Sequence, residues 1–256
     1  MMISCKSVQS GYDQTPILFV DNLALEKGEV VSVLGKNGCG KSTLLKTLVG
    51  RLHYEGSIEL DGVQLNQISS MERARHMSDL PQQINRPDMD VYTLVCHGRF
   101  PYLGMNKILS QQDQDIVETC LKQLELWERK DKNIQQLSGG QQQRAWLAMA
   151  LAQNTDYVLL DEPNASMDID HQLSTMQLFQ SLARQGKGIV LTSHDIVMSF
   201  SYSDRICLID QGKSVGIKTP DQWLETPEII HQALGVWLQK NDTDTALYPY
   251  ILSKEK

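Results

Sequence analysis

Residues 35–42 of the 256-residue chain read Gly-Lys-Asn-Gly-Cys-Gly-Lys-Ser, and this stretch decides the fold. The apolar run Val30–Leu34 precedes it, and leucines at helical spacing follow it as far as Gly50. Two glycines with four residues between them, then Lys and Ser, are typical of a phosphate-binding loop when they lie between a strand and a helix. These flanks argue against the alternative, a chance glycine-rich turn. We expect the glycines to wrap phosphates, Lys41 to reach the terminal phosphates and Ser42 to ligate Mg²⁺.

A second site signal is a short strand that ends in two acids. Tyr-Val-Leu-Leu at residues 157–160 is followed by Asp161 and Glu162. Because a buried strand delivers its last residues to the carboxyl edge of a sheet, these acids would lie beside the phosphates. Asp161 would hold the metal through water, and Glu162 would polarise the water that attacks the γ-phosphate. Alone, two acids after a strand are more often a helix cap, and the phosphate loop reverses that preference.

The third signal is Leu-Ser-Gly-Gly-Gln at residues 137–141, just before an apolar helical pattern over residues 145–151. A serine N-cap followed by paired glycines makes a second helix N-terminus suited to phosphate. One ATP does not need two such termini. A plain serine-capped helix would explain the Ser-Gly-Gly part but hardly all five residues.

With these three motifs the chain resembles the ATPases of the ABC family, whose signature is the string at residues 137–141. The resemblance covers nearly the whole sequence and implies a head-to-tail homodimer, with ATP and Mg²⁺ between Lys41 of one copy and the signature of the other. It implies a set of site residues as follows. The nucleotide contacts are Tyr12, Gly35, Asn37, Gly38, Cys39, Gly40, Lys41, Ser42, Thr43, Ser138, Gly139, Gly140, Gln141 and Asp168; the metal contacts are Ser42, Gln82 and Asp161; the catalytic residues are Glu162, His194 and Gln82.

Four of these assignments come from the resemblance position by position. Tyr12 lies where the family stacks a ring on adenine, although a lone Tyr near a strand is otherwise a core or edge residue. Gln82 matches the glutamine that contacts Mg²⁺ and the attacking water, with Gln83 as a competing choice. Asp168 matches the loop that contacts the opposite subunit. His194, which follows a strand, matches the histidine at the γ-phosphate, whereas a lone His is more often structural.

At two positions beside the site, the chain has residues that differ from those usual in the family. Asn164 follows Glu-Pro where a small hydroxyl residue is usual, and Met167 stands where Leu is usual. Neither replaces a residue assigned to the chemistry, so we expect hydrolysis to survive.

The order of patterns predicts an α/β fold. Candidate strands lie at Val8 and at residues 17–25, 30–34, 57–60, 157–160, 188–192, 205–209 and 214–217, and candidate helices begin at Lys41, Gln111, Ile169 and Asp195. Alternating strands and helices imply parallel strands. The resemblance implies a RecA-like P-loop core with N-terminal antiparallel strands and an inserted helical subdomain. We expect one domain, with a core at residues 1–81 and 155–219, the helical subdomain at 82–154, and a C-terminal helix and tail at 220–256, of which residues 241–256 are loosely held.

Bulk properties exclude several classes of protein. A net charge of −7 without a local basic cluster argues against a nucleic-acid partner. No apolar run approaches the length of a membrane span, and the first residues lack a signal-peptide pattern. The five scattered cysteines lack zinc or redox spacing and indicate free thiols in a reducing cytosol.

Cys39 leaves two readings open. A thiol beside a helix N-terminus and a lysine should have a lowered pKa and react readily. Alternatively, Cys39 fills a small-residue position and its sulfur is buried and inert.

Residues 95–104 have no predicted role at the phosphate site, and their composition indicates a surface that contacts a partner. Aromatic residues beside Pro and Gly predict an exposed loop that faces a partner, and packing on its own subdomain is the alternative. The sequence of this stretch resembles that of ATPases of bacterial importers for iron-siderophores, haem and cobalamin. That resemblance implies a separate integral membrane permease, an external substrate-binding protein acting indirectly, and a peripheral position at the cytoplasmic face of the membrane. The alternatives are a soluble ABC ATPase without a permease and an exporter half, which would normally carry fused membrane helices.

Overall fold

The computed structural model describes residues 2–13, 15–104, 106, 108–240 and 250–253. Within these residues the larger sheet consists of β1 (Met2–Tyr12), β2 (Thr15–Glu26), β3 (Val30–Leu34), β4 (Tyr54–Leu60), β5 (Val63–Gln64), β6 (Met77–Leu80), β7 (Tyr157–Asp161), β8 (Gly188–Thr192), β9 (Arg205–Asp210) and β10 (Lys213–Lys218). Their order across the sheet is β5-β4-β1-β2-β10-β9-β3-β8-β7-β6.

One half of this sheet is parallel. β3 pairs in parallel with β8 and β9, and β7 pairs in parallel with β6 and β8. Every residue of β3, β7 and β8 is buried, as expected for apolar parallel strands covered on both faces. The carboxyl ends of these three strands therefore meet at one edge, where Leu34, Asp161 and Thr192 are their last residues.

The other half is antiparallel. β1 pairs with β2 and β4, and β5 extends β4. Buried and exposed residues largely alternate along β1 and β2, because one face packs on the core. A single bridge between Lys213 and Phe19 joins β10 to β2 and so connects the two halves.

The helices are α1 (Lys41–Leu48), α2 (Ser70–His76), α3 (Val91–Cys96), α4 (Gln111–Gln123), α5 (Gly139–Ala152), α6 (Ile169–Arg184), α7 (Ile196–Tyr202), α8 (Pro220–Leu224) and α9 (Pro227–Leu234). Between β6 and β7 the described chain is mainly helical, with α3, α4, α5 and short 3-10 segments. Capping boxes begin α4 at Ser110 and α5 at Ser138, which explains where these helices start.

The helical segment shares one buried cluster with the sheet. This cluster contains Val91, Val117 and Leu147 from α3, α4 and α5, together with strand residues such as Leu160 and Leu191. A second cluster packs α1 against the antiparallel strands. A third holds the C-terminal elements, with buried Trp223 donating its indole N–H to the Ile206 carbonyl at 2.8 Å.

Most predicted elements agree with the structure within a few residues. β3 and β8 have the predicted bounds, and so does α6, for which the sequence pattern predicts residues 169–184; α4 ends at Gln123, two residues before the end of its predicted range at 111–125. β6, α2 and α3 were not predicted individually.

The C-terminal region differs from the prediction. It holds α8 and α9, and β11 (Trp237–Lys240) pairs with β12 (Tyr250–Ser253), so residues 250–253 are paired rather than loose. The predicted tail at 241–249 and 254–256 lies outside the described residues.

Candidate functional site

The phosphate loop connects the end of β3 to α1. Gly38 and Gly40 have φ angles of +76° and +109°, a left-handed backbone that glycine adopts without strain. The Lys41 ammonium donates to the carbonyls of Gly35 and Lys36 at 2.8 and 3.2 Å. The loop thus curves around the Lys41 ammonium, which is the group expected to bind phosphate oxygens.

A cavity of about 500 Å³ opens in front of this loop. It brings together predicted residues from four separate parts of the sequence, because the carboxyl ends of the parallel strands meet here. Its lining consists of Ile17, Asn37, Gly38, Gly40, Lys41, Ser42, Thr43, Gln82, Glu162 and His194.

Two acids and a histidine form a hydrogen-bonded group at this edge. Buried Asp161 accepts a hydrogen bond from the Thr192 hydroxyl at 2.6 Å, and the same hydroxyl accepts from the Glu162 backbone N–H at 2.9 Å. Nε2 of His194 lies 2.6 Å from Oε1 of Glu162. The side chain of Glu162 is 18% exposed and that of His194 is 48% exposed, so both reach the open side of the cavity.

The backbone at Glu162 has an unusual conformation. Its φ of +53° lies in the left-handed region, which costs energy for a residue with a side chain. The backbone N–H bond to Thr192 and a hydrogen bond from the Gln143 amide to the Glu162 carbonyl at 3.3 Å hold this conformation. This bend directs the chain out of β7 and leaves the carboxylate facing His194.

The signature residues lie elsewhere on the chain. Ser138 caps α5, and its hydroxyl accepts from the Gln141 backbone N–H at 3.3 Å. Ser138 and Gly139 are exposed, and none of the four residues 138–141 lines the cavity at Lys41. A Cβ on Gly140 would lie 2.8 Å from the Ser166 carbonyl oxygen, so the start of α5 packs closely on the turn after Glu162.

Tyr12 and Asp168 also lie outside the cavity lining. Tyr12 is 42% exposed and accepts a hydrogen bond from Lys46 at 3.1 Å, beside the phosphate-loop helix. Asp168 caps α6, and hydrogen bonds from the backbone and ring of His171 lower the pKa of its carboxyl. Both side chains are exposed to contacts from outside the chain.

The position of Cys39 in the structure bears on whether its thiol is reactive or buried and inert. Its side chain is only 7% exposed, and its sulfur fills the space beside Gly35, where a Cβ would lie 2.4 Å from Sγ. Burial raises the pKa of the Cys39 thiol, although Lys41 acts in the opposite direction. Of the two readings, the structure favours the buried and inert thiol, because burial outweighs the nearby positive charge. All five cysteines are buried and free.

Sequence reasoning missed two residues of the site. Thr192 joins Asp161 to the Glu162 backbone, and Ile17 lines the cavity from β2. The position of Thr192 at the end of the apolar run at residues 188–192 is a signal that could have found it. Nothing in the local sequence marks Ile17.

The donor set fits Mg²⁺ and a triphosphate. Hard oxygen donors suit Mg²⁺. Ser42 and Gln82 line the cavity, and buried Asp161, which does not line it, is the last residue of β7, directly before the lining residue Glu162. The concave loop with its lysine fits phosphate oxygens. Within the described residues, no group of three His, Cys, Asp or Glu side chains could hold a metal ion.

The segment predicted as an exposed partner loop is a 3-10 helix at His97–Tyr102, following α3. Phe100 is 54% exposed, whereas Arg99 is buried and donates to Asp113 at 2.9 Å. Tyr102 packs over the Arg99 guanidinium and donates to the Arg75 carbonyl at 3.2 Å. The segment therefore packs on its own neighbours and presents mainly Phe100 outward.

None of the helices in the described part of the chain combines the length and the apolar character that crossing a membrane requires.

The comparisons with known proteins agree on one family. The family model described as ABC transporter matches residues 19–165, more than half of the chain. The iron(3+)-hydroxamate import ATP-binding protein FhuC of Bacillus subtilis is 35% identical over 238 residues, covering 91% of this chain and 88% of that protein. The hemin import ATP-binding protein HmuV of Deinococcus radiodurans is 38% identical over 217 residues, covering 82% and 81%.

A solved structure shows the same architecture. CbiO1 of Clostridium perfringens, part of the ABC transporter complex CbiONQ, aligns with a TM-score of 0.75 at 26% identity, covering 90% of this chain and 92% of that one. The α/β fold class with a P-loop core is therefore confirmed. Motifs, fold and relatives lead to the same conclusion: the chain belongs to the ABC transporter family.

Proposed function

We propose that the chain is the ATP-binding and hydrolysing subunit of an importer that takes up iron-siderophore-type complexes through a separate membrane permease. The observation that carries the proposal is the cavity that joins Lys41 and Ser42 to Glu162 and His194. The reaction is ATP plus water to ADP and phosphate. Residues 82–154 serve as the helical subdomain between the two parts of the core, and residues 220–256 follow as the C-terminal part.

The phosphate loop binds the triphosphate. Backbone N–H groups at the start of α1 and the Lys41 ammonium neutralise its charge. Lys41 exchanges its contacts with Gly35 and Lys36 for the terminal phosphates. Ser42, Gln82 and Asp161 would hold Mg²⁺, which supplies further charge neutralisation when bound. Thr192 keeps Asp161 in position through the 2.6 Å hydrogen bond.

Glu162 is the general base. Its carboxylate accepts a proton from the water that attacks the γ-phosphorus, while the bond to the bridging oxygen of ADP breaks. His194 contacts the same carboxylate at 2.6 Å and so orients it toward the cavity. The strained backbone at Glu162 contributes a fixed position, which a flexible loop would not.

Two copies complete the site. The exposed start of α5, with Ser138 to Gln141, provides a second phosphate-binding helix terminus that the cavity of its own chain does not use. A head-to-tail homodimer would bring this terminus to the nucleotide of the other copy, with Asp168 nearby and Tyr12 against the adenine. Closure on ATP and opening after hydrolysis would then drive the permease.

The partner proposal extends to the membrane. The permease contacts the exposed side of the helical segment at Phe100, and the chain lies peripherally at the cytoplasmic face. An external binding protein delivers the cargo, which never touches this subunit. FhuC is named for iron(3+)-hydroxamate import, and this supports the siderophore class. HmuV is named for hemin import, which keeps haem as the second candidate cargo, beside cobalamin and other metal chelates.

Glu162→Gln tests the enzymatic part of the proposal. Loss of the proton acceptor should lower ATP turnover by about 100-fold or more while ATP binding remains. The variant should form an ATP-dependent dimer that gel filtration or light scattering detects. Glu55→Gln, at an exposed position on β4, is the matched control and should behave as wild type. Normal turnover in the Glu162 variant would refute its assignment.

Cargo is tested separately in cells. A strain whose only copy carries Glu162→Gln should lose uptake of radiolabelled iron-siderophore and retain uptake of unrelated nutrients. Loss of haem or cobalamin uptake instead would replace the cargo assignment without affecting the ATPase assignment. Retention of all three would refute a role in metal-chelate import.

A further inference from the structure

His171 lies in the first turn of α6, between two carboxylates. Its backbone N–H donates to Oδ1 of Asp168 at 3.0 Å, and its ring Nδ1 lies 2.6 Å from the same oxygen. On the other side of the ring, Nε2 lies 3.6 Å from Oε2 of Glu125. One imidazole therefore spans from the turn that follows Glu162 to the chain that follows α4.

Glu125 is in turn held by α5. Nη1 of Arg144 lies 3.7 Å from Oε2 of Glu125 and donates to the Leu124 carbonyl at 3.2 Å. The Arg144 side chain is only 10% exposed, so it is a fixed point, whereas Glu125 is 68% exposed. A continuous series of contacts thus runs from the signature helix through Glu125 and His171 to Asp168.

The same two parts of the molecule also touch directly. Gly140, at the start of α5, packs against the Ser166 carbonyl in the turn after Glu162. Steric packing at Gly140 sets how close the turn and the helix come. The ionic contacts of His171 set how the end of that turn, at Asp168, is oriented. A shift of α5 relative to the turn must therefore change both.

We propose that His171 is a positioning residue for ATP hydrolysis: it fixes the orientation of Asp168 and connects the turn after Glu162 to α4 and α5, most tightly when its ring is protonated. The inference rests on the proposed function, because Asp168 acts here by facing the nucleotide site of a second copy. Both His171 contacts use Oδ1, which leaves Oδ2 of a 68% exposed side chain available to that copy.

The dependence on protonation follows from imidazole chemistry. A neutral ring carries one proton, so when Nδ1 donates to Asp168, Nε2 has no proton to offer Glu125. A protonated ring carries a proton on both nitrogens and a positive charge, so it donates to Asp168 and pairs electrostatically with Glu125. Histidine ordinarily changes charge between about pH 5 and 8. The charged groups around the ring are Asp168 and Asp170 at the start of α6, Glu125 after α4, and Arg144 on α5, with Arg129 next to Arg144.

The test is ATP hydrolysis by the full chain, with kcat and KM measured at about pH 6 and about pH 8. His171→Ala should lower kcat at the lower pH by up to about fivefold, the size of an exposed ionic contact. KM for ATP and Tm should stay near wild type, since His171 does not line the nucleotide cavity. His171→Gln, whose amide donates to Asp168 at either pH, should recover most of the rate. It should lack the gain in kcat that the protonated His171 ring gives wild type at the lower pH. Glu125→Gln should lack that gain too, and exposed Glu128→Gln is the matched control.

Unchanged kcat and an unchanged pH profile in His171→Ala would overturn the proposal. A loss of kcat that tracks a loss of Tm and is not recovered by His171→Gln would also overturn it, since that pattern indicates a structural role only. Failure of the proposed function has a different appearance, because wild-type protein would then hydrolyse no ATP or Glu162→Gln would hydrolyse it normally.

Discussion

Cys39 is a residue of the phosphate loop, and the burial of its sulfur determines how its thiol reacts. Burial raises its pKa, so less thiolate is present at neutral pH than in a free cysteine. We expect maleimide to label the native protein slowly, with no preference for Cys39 and no protection by Mg-ATP. Mass mapping of labelled peptides measures this, and the unfolded chain, in which all five thiols react, is the control. Rapid labelling at Cys39 that ATP prevents would show an accessible sulfur.

At the scale of single residues, the sequence predicts best where chemistry demands a fixed spacing. The phosphate loop and the acids after β7 are each contiguous in sequence, so the two motifs together predict Lys41 and Glu162 as site residues. Thr192 could not be assigned in this way, because it joins Asp161 to the Glu162 backbone across two strands and no local spacing requires it. The state of Cys39 could not either, since a thiol's pKa depends on burial, which its neighbours in sequence do not reveal.

At the scale of elements, Arg99 ties the 3-10 helix at His97–Tyr102 to α4 through a buried ion pair with Asp113. Arg99→Leu removes the cation, while Asp113 keeps its hydrogen bonds from the Ser110 backbone and hydroxyl. We therefore expect a loss of about 1.5–3 kcal/mol in the free energy of unfolding, the size of a hydrogen bond to a charged group. Arg51→Leu, which breaks the exposed pair with Asp79, is the matched control and should cost about 1 kcal/mol or less. Urea denaturation of both variants measures the difference, and equal losses would contradict it.

The pH dependence of this contribution has a definite sign. A hydrogen bond from Ser110, supported by Arg99, lowers the pKa of Asp113 in the folded protein. The stabilisation is therefore complete above the ordinary aspartate value of about 3.9 and is lost as the pH falls below it. The advantage of wild type over Arg99→Leu should accordingly shrink only in that acidic range.

Elements were predictable where the sequence signal is complete. α6 combines a helical apolar period with a capping residue, and β8 is an apolar run bounded by polar residues. The segment at residues 97–102 was not predictable, because glycine and proline suggest a loop while the side chain of Arg99 turns inward to Asp113 and the Ala152 carbonyl. β6 was missed because only Met77 and Leu80 are apolar in a strand of four residues at the sheet edge. Pairing with β7, which sequence patterns cannot supply, makes it a strand.

At the scale of the whole molecule, Phe100 is the residue to test for coupling to the permease. Phe100→Ser should reduce transport in vesicles containing the permease and leave the ATPase rate of the isolated chain unchanged, because its ring is 54% exposed and does not line the nucleotide cavity. Tyr102 is unsuitable for this test, since it packs over Arg99. Val63→Ser, an exposed apolar residue on β5, is the matched control. Normal transport by the Phe100 variant would contradict docking at this position.

The single buried cluster that the helical segment shares with the parallel strands has a consequence for exchanging parts between relatives. Val91, Val117 and Leu147 belong to the same close-packed cluster as Leu160 and Leu191, so the helical segment and the strands share one interior. A chimera that took residues 82–154 from another importer would join two half-cores that do not interdigitate. Retargeting this subunit to a new permease therefore calls for grafting exposed positions such as Phe100, with the interior left intact.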